Sequence, residues 1–210
     1  MDLSISNRNR CLSIVLSLAV VCAFGAVGIA ADDAKKDEKA KPAEATKDVK
    51  IDDITLKVPE SWKQQEPTSN SRKAQFKIEK VEGDSESAEL AVFFFGGSGG
   101  GVDANLKRWV SQFQDKERKA KITQGESPQG KYVFADITGT YNMPIGPIVQ
   151  QKTKPLPGAR MLGVILSVEG KGNYFLKLTG PEKTVAAAAK AFRDSFGADA
   201  SKEKELKLDE

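Results

Sequence analysis

The sequence contains no histidine, and its two cysteines, Cys11 and Cys22, both lie within the first 31 residues. Without an imidazole the chain cannot build a Ser-His-Asp or Cys-His nucleophile pair. Zinc, copper and haem sites made from His and Cys are excluded after residue 31, as is pH switching through a histidine. A segment without thiols cannot form disulfides, so a domain there must be held together by its core alone.

An excess of charge of one sign is also lacking. Lys and Arg number 32, Asp and Glu number 29, and the formal net charge is +3. The two signs are interspersed, and no basic stripe with interleaved aromatic residues stands out. Nucleic acid is therefore not an expected partner.

Residues 1–31 have the pattern of an export signal. Arg8 and Arg10 precede an apolar run from Cys11 to Ala31, whose end is rich in small residues. This pattern predicts a cleaved signal peptide. The run is long enough to span a bilayer, so an uncleaved N-terminal anchor stays open as the alternative. Both readings place the remainder outside the cytoplasm, periplasmic or secreted, with membrane contact only through this segment if it is retained.

Two charged segments flank the predicted domain. Residues 32–50 mix both signs of charge with Ala and one Pro, and residues 199–210 have a similar character. Neither segment has an apolar periodicity that could be buried, so we predict a disordered linker and a disordered tail. Residues 51–198 are left as a single domain of ordinary size.

The centre of that domain reads as a strand, a glycine run and a helix. Leu90–Phe95 is continuously apolar, which predicts a central strand covered on both faces. Asp103 is placed to cap the helix that follows. The spacing i, i+3, i+4 and i+7 puts four apolar residues on one face of this helix, and those are Leu106, Trp109, Val110 and Phe113. The polar residues, Asn105 and Arg108 among them, are expected on the other face.

The glycine run Gly96–Gly101 admits two interpretations. Glycines let backbone N–H groups approach an anion at a helix N-terminus. A nucleotide-binding P-loop, however, needs Lys and then Ser or Thr directly after its last glycine, where this chain has Val102 and Asp103. A tight turn between strand and helix is the interpretation that the sequence favours.

Alternating and apolar segments predict further strands and a last helix. The strands are Ile54–Val58, Lys73–Lys80, Lys121–Gln124, Tyr132–Tyr141, Met161–Val168 and Asn173–Thr179. Trp62 is expected to fill the core at the end of the first of these. The helix starts with Pro181 at its first position and stops at Gly197. Asp136, inside a strand, is expected to face solvent or a sheet edge.

The segment Asn142–Arg160 contains four prolines, which predict irregular structure. It has an apolar part and a basic part, the latter made of Lys152, Lys154 and Arg160. A segment of this length suggests either a partner-binding loop or a flap packed across the sheet edge.

The segment Glu82–Ser87 carries carboxylates at alternate positions. Calcium is conceivable there, but the glycine and glutamate positions of an EF-hand loop are missing. We expect a solvated turn, and neither a metal nor a cofactor.

This order of elements predicts an α+β fold, an antiparallel sheet with helices packed on it. The segments ITLKVPESWK and GNYFLKLTGPEKTVAAAAKAFRDSF, with the exported single-domain size, resemble the PsbP/DcrB-like fold family over most of residues 51–197. The resemblance implies an α/β/α sandwich and a small binding or assembly factor. The stretch FFFGGSGGGVDANLKRWVSQF departs from PsbP itself and is more similar to uncharacterised exported bacterial proteins, so no family site is transferred.

Two functional hypotheses follow. The first is a non-catalytic module that binds a protein or an envelope component. Its predicted binding residues are Gly97, Ser98, Gly99, Gly100, Arg108, Lys152, Lys154 and Arg160. The second is a carboxylate-dependent hydrolase of an envelope or extracellular substrate, with Asp103 and Asp136 as an acid/base pair. The absence of histidine and of mature cysteine favours the first hypothesis.

Overall fold

A computed structural model of the chain describes residues 44–96, 99–145 and 152–207, apart from the side chain of Asp115. All of these residues belong to one compact unit. The predicted signal segment, most of the predicted linker, and the site residues Gly97 and Ser98 lie outside the described residues. Within the described residues, no helix has the length and apolar character needed to cross a membrane.

The described chain forms ten strands, two α-helices and two short 3-10 helices. In chain order the elements are β1 (Thr46–Ile51), β2 (Ile54–Pro59), β3 (Lys63–Gln65), β4 (Arg72–Ile78), β5 (Ala88–Phe94), α1 (Val102–Ser111), a 3-10 helix (Asp115–Glu117), β6 (Lys119–Ser127), β7 (Gly130–Pro144), β8 (Thr153–Val168), β9 (Gly172–Pro181), α2 (Glu182–Ser195), a second 3-10 helix (Ala200–Lys202) and β10 (Lys204–Glu205).

Eight of the strands form one antiparallel sheet in the order β10-β6-β7-β8-β9-β5-β4-β3, while β1 and β2 pair with each other. Strand β5 lies between β9 and β4, which confirms the interior position predicted from its apolar run. The predicted end of this strand was wrong by one residue. Strand β5 ends at Phe94, and the next residue, Phe95, is 51% exposed.

Each face of the large sheet has its own hydrophobic core. On one face α2 packs with the β1–β2 hairpin, and Trp62 is buried there as expected. On the other face α1 packs through Leu106 and Trp109, with Phe113 just beyond its end. A helix therefore covers each face of an antiparallel sheet, and the predicted α+β sandwich is confirmed.

The segment Asn142–Arg160 differs most from expectation. Strands β7 and β8 pair from Lys131 with Ser167 out to Pro144 with Thr153, so both arms of the predicted loop are strands. Strand β9 pairs with β8 only from Ala159 onward. Before that point, where Pro155 and Pro157 lie, β8 has β7 on one side and no neighbouring strand on the other. Proline needs no N–H partner on such an edge. Residues 146–151, within the predicted loop, lie outside the described part.

Both predicted boundaries of the domain move outward. Strand β1 begins at Thr46, inside the predicted linker, because Val49 and Ile51 turn apolar side chains toward the α2 core. The predicted tail contributes β10, which pairs with β6. Its Glu203 side chain is only 6% exposed and accepts hydrogen bonds from Arg193 and Thr123. These long-range contacts order a segment that has no periodicity of its own.

The acidic segment Glu82–Ser87 has a structural role at the start of α2. The Asp84 carboxylate accepts hydrogen bonds from Thr184 N–H at 2.8 Å and from Thr184 Oγ1 at 2.6 Å. Thr184 lies in the first turn of α2, so a distant residue supplies the cap that Pro181, at the N-cap position, cannot supply. No cluster of metal-ligating side chains occurs among the described residues.

Candidate functional site

Helix α1 covers only part of its face of the sheet. Its Trp109 packs against Gly163 on β8 and edge-on against Phe175 on β9, with ring centroids 6.4 Å apart. On β5, which lies farther from the helix, Glu89 and Phe93 are partly exposed on the same face. We call the strip between α1 and β4 the basic shelf and define it by Arg72, Glu89, Phe93, Phe95, Arg108 and Lys177.

Arg72 forms the outer wall of the basic shelf. Its guanidinium lies 5.5 Å from the centroid of the Phe93 ring and donates to Glu89 Oε1 at 2.7 Å. Gln75 accepts from Arg72 and donates to Glu89 Oε2, both at 2.7 Å. This network explains how the polar side chain of Gln75 can be only 4% exposed. It also compensates the negative charge of Glu89 locally.

Lys177, in the middle of β9, forms the floor of the shelf. Its Nζ donates to Gln112 Oε1 at 2.6 Å and to Tyr141 Oη at 3.1 Å. No carboxylate of the described residues forms an ion pair with it. Burial, and then the positive charges of Arg108 and Arg72, lower the pKa of Lys177 to about 7, against a smaller opposing effect of Glu89.

Tyr141 stays a neutral hydrogen-bonding partner in this environment. Burial, and then the nearby Glu89 charge, raise its pKa to about 12. The Lys177 ammonium lies 5.1 Å from the centroid of its ring. Lys177 is thus surrounded by neutral oxygens and by arginines, which is an unusual setting for a lysine.

Arg108 projects from α1 beside the shelf and is held by Asn105. The Asn105 amide donates to Gly99 O at 3.2 Å and to Gly101 O at 2.9 Å, while its oxygen accepts from Arg108 Nη2. Asn105 is only 1% exposed, although the helical pattern placed it on the polar face. It therefore ties the glycine run to α1 and orients Arg108.

The glycine run has a conformational role that fits the turn interpretation. Gly99 has φ +58°, and a Cβ on it would come within 2.5 Å of the Phe175 ring. The helix begins with Gly101 at the N-cap, without a side-chain cap, and Asp103 lies within the first turn instead of capping it. An acidic residue there still interacts favourably with the helix N-terminus.

The predicted binding residues do not form one surface. Gly99, Gly100 and Arg108 lie at the glycine-run end and along α1, next to the shelf. Lys152 and Lys154 lie on the β7–β8 hairpin; Lys154 pairs with Glu86 at 3.3 Å, and the Lys152 carbonyl accepts from Ile145 N–H.

Arg160 lies on the opposite face of the sheet. Arg160 and Leu162 are two residues apart on β8 and therefore lie on the same face, and Leu162 belongs to the α2 core. Arg160 donates to Asp136 from Nε to Oδ1 at 2.8 Å and from Nη2 to Oδ2 at 2.6 Å. Asp136 is therefore not a solvent-facing carboxylate as expected. Side chains on the two faces of a sheet cannot touch the same small ligand.

The same geometry overturns the proposed carboxylate pair. Asp103 is exposed on α1, on one side of the sheet, whereas Asp136 is engaged by Arg160 on the other side. Paired carboxylates of hydrolases flank a single scissile bond, within about 10 Å of each other. With a sheet between them, these two cannot act as an acid/base pair.

Arg72 and Lys177 are the site residues that the sequence did not reveal. The sequence of β9 contained a clue, because Lys177 stands between the apolar residues Leu176 and Leu178, which belong to the core. A lysine at a half-buried position of an interior strand points to a special environment. Arg72 had no such pattern, since it begins its strand.

Two open surface clefts lie away from the shelf. One of about 540 Å³ is bordered by Lys131, Tyr132 and Lys204, and another of about 490 Å³ lies beside the C-terminal end of α1 near Arg118. The basic shelf is an open strip, a shape that suits an extended chain better than an enclosed small molecule.

Comparison with known proteins finds a similarity in structure but no match to a family model or to a curated sequence. Among solved structures the chain is similar to cyanobacterial PsbP (CyanoP) from Synechocystis sp. PCC 6803, with 13% sequence identity and a TM-score of 0.46. The match covers 78% of this chain and 94% of that one. Membership of the PsbP/DcrB-like family stays a prediction from the sequence.

Proposed function

We propose that the domain is a non-catalytic binding module outside the cytoplasm that holds an acidic, extended segment of a partner protein on the basic shelf. The observation that supports this is the gathering of Arg72, Arg108 and Lys177 on one open face, with Glu89 as the nearby counter-charge. The location outside the cytoplasm rests on the predicted export signal of residues 1–31.

Charge complementarity argues for an acidic partner. Glu89 is already bound by Arg72 and Gln75, so the positive charge of Arg108 and the potential charge of Lys177 are not balanced within the shelf. Complementary charge accelerates association and excludes partners of the wrong sign.

The aromatic part of the shelf argues for a polypeptide. Phe93 and Phe95 stack with centroids 6.0 Å apart, and Phe95 also touches the Phe175 ring. Phe95 is one of two large hydrophobic residues that are exposed among the described residues. An exposed aromatic residue beside arginines is a typical anchor of a protein interface.

Binding can be tested with a fluorescein-labelled, N-acetylated hexaglutamate peptide and the purified protein, by fluorescence anisotropy at low and at physiological salt. We expect the wild type to bind hexaglutamate with an affinity that falls as the salt concentration rises. It should not bind the uncharged hexaglutamine peptide of the same length. Arg108→Glu is expected to weaken binding roughly tenfold or more, equivalent to about 1.4 kcal/mol.

The matched control is Lys107→Glu, which makes the same change of charge on an exposed neighbouring position of α1. It should retain most of the wild-type affinity. Equal weakening by both variants, or equal binding of hexaglutamine, would show that the shelf is not the binding surface.

A further inference from the structure

We infer that Lys177 takes up a proton when a carboxylate of the bound segment binds beside it. Lys177 is then the residue through which the shelf recognises a carboxylate. This inference rests on the proposed function of the shelf. It names the group on the ligand that is recognised and the residue that recognises it.

The hydrogen bonds of Lys177 leave room for such a partner. An ammonium group has three N–H donors, and the described partners of Nζ are Gln112 Oε1 and Tyr141 Oη. One donor therefore remains for a ligand oxygen. Lys177 is partly exposed at the floor of the open shelf, so the ligand does not need to displace a buried side chain.

The charges that face Lys177 explain why it is only partly protonated near neutral pH before binding. Arg108 from α1 and Arg72 from β4 disfavour the ammonium, as does burial. Glu89 from β5 favours it but is engaged by Arg72. Tyr141 from β7 is neutral, because its pKa is raised to about 12, and the facing residue on β8 is Gly163.

A bound carboxylate reverses this balance. Its negative charge, placed between Lys177 and Arg108, favours the ammonium and offsets the repulsion between the two cations. The free amine accepts one proton from solvent, and the ammonium then donates to the carboxylate. The proton from solvent forms the third N–H bond of Lys177, no other bond changes, and at most one positive charge is gained for each peptide segment bound.

Linkage fixes the sign of the pH dependence. Because the pKa of free Lys177 is about 7 and binding raises it, protons are taken up at and above neutral pH. The affinity for hexaglutamate should therefore fall as the pH rises from 6 to 8.5, by roughly tenfold or more. Glutamate carboxylates are ionised throughout this range and do not contribute.

Isothermal titration of the purified protein with hexaglutamate at pH 7.5, in phosphate and in Tris, measures the uptake directly. The observed enthalpy varies with the ionisation enthalpy of the buffer in proportion to the protons exchanged. We expect an uptake of up to about three-quarters of a proton per site for the wild type, from the unprotonated fraction at that pH.

Two substitutions separate this role from a structural one. Lys177→Arg keeps a permanent charge, so it should bind without proton uptake and with little pH dependence between 6 and 8.5. Lys177→Met should bind several-fold more weakly at pH 6, also without uptake. Lys107→Met, on the exposed side of α1, should keep the wild-type uptake.

The outcomes distinguish the two proposals. Binding of hexaglutamate that depends on Arg108, but with no proton uptake and no change in Lys177→Met, overturns the role of Lys177 and leaves the proposed function standing. Absence of any binding by the wild type overturns both. Uptake that persists in Lys177→Arg assigns the proton to another group and also contradicts the inference.

Discussion

The indole ring of Trp109 lies directly against the backbone of Gly163, so close that a Cβ on this glycine would come within 2.5 Å of Cζ3. Gly163 pairs with Ala135 on one side and with Lys177 on the other. The small residues let α1 approach the sheet here, and this approach brings the charge of Arg108 close enough to lower the pKa of Lys177. One glycine thus fixes the position of the helix that borders the shelf.

Gly163→Ala is expected to destabilise the domain by about 1–3 kcal/mol, because the added methyl group must displace a large ring in a packed core. Urea unfolding, followed by tryptophan fluorescence, measures the change in the free energy of unfolding. The same substitution in a Trp109→Leu background is the control. There the methyl group meets a smaller side chain and should cost much less, so equal costs in both backgrounds would disprove the contact.

The sequence predicted helix α1 but not the place on the sheet where it packs. The spacing of Leu106, Trp109 and Phe113 identified the buried face of α1. Gly163, by contrast, lay in the predicted strand Met161–Val168, where nothing in the sequence indicated contact with a helix. Local periodicity reports which side of an element is buried, while a close approach between distant elements depends on which small residue lies opposite which large one.

Substitution by alanine should affect mainly stability at Arg160 and mainly peptide binding at Arg108. Arg160 forms a two-pronged ion pair with Asp136, and both side chains are mostly buried. Its loss leaves the carboxylate unpaired, so Arg160→Ala should lower the free energy of unfolding by about 1–3 kcal/mol. Binding of hexaglutamate should not change, because Arg160 lies on the other face.

Arg108→Ala should mainly weaken peptide binding, with a loss of stability of about 1 kcal/mol from the lost hydrogen bond to the buried Asn105 oxygen. Urea unfolding and anisotropy on the same two proteins provide both readings. If Arg160→Ala also binds the peptide more weakly, Arg160 belongs to the binding surface, as the sequence predicted.

Glu203 holds the C-terminal segment to the sheet. Its carboxylate accepts from Arg193 Nε at 2.9 Å and from Thr123 Oγ1 at 2.7 Å, and the Tyr132 hydroxyl lies 3.4 Å away. Glu203→Gln removes the charge that balances Arg193. We expect a loss of roughly 2 kcal/mol, somewhat below the value for a fully buried pair.

Limited proteolysis gives a second reading for the same variant. Cleavage after Lys202 or Lys204 by trypsin should become faster, since pairing of β10 with β6 depends on this anchor. The exposed Glu205→Gln is the matched control and should behave like the wild type. An equally fast cleavage of both variants would mean that Glu203 does not restrain the segment.

The ends of the domain show what composition cannot reveal. Both flanking segments are rich in mixed charge, which is typical of disorder. Order at these ends depends on a few residues with distant partners: Val49 and Ile51 in the α2 core, and Glu203 with Arg193. The prolines of the β7–β8 hairpin misled in a similar way, because their tolerance depends on which side of β8 has a neighbour.

Lys177→Met should stabilise the protein relative to the wild type more at pH 6 than at pH 9. The pKa of Lys177 is about 7 in the folded protein and about 10.4 in an unfolded chain. Between these values the unfolded state binds more protons, so the wild type gains stability as the pH rises through this range. Methionine removes that dependence, together with a pH-independent contribution from the bonds to Gln112 and Tyr141.

The difference in unfolding free energy between variant and wild type should therefore be larger at pH 6 than at pH 9 by about 2–3 kcal/mol. Urea unfolding at both pH values measures it, and comparing the differences cancels the pH-independent loss of hydrogen bonds. Lys190→Met is the control, since that side chain on α2 is 87% exposed and its substitution should shift stability equally at the two pH values. If Lys177→Met shows the same flat response, Lys177 is charged in the folded protein at neutral pH, and it has no proton to gain when a carboxylate binds.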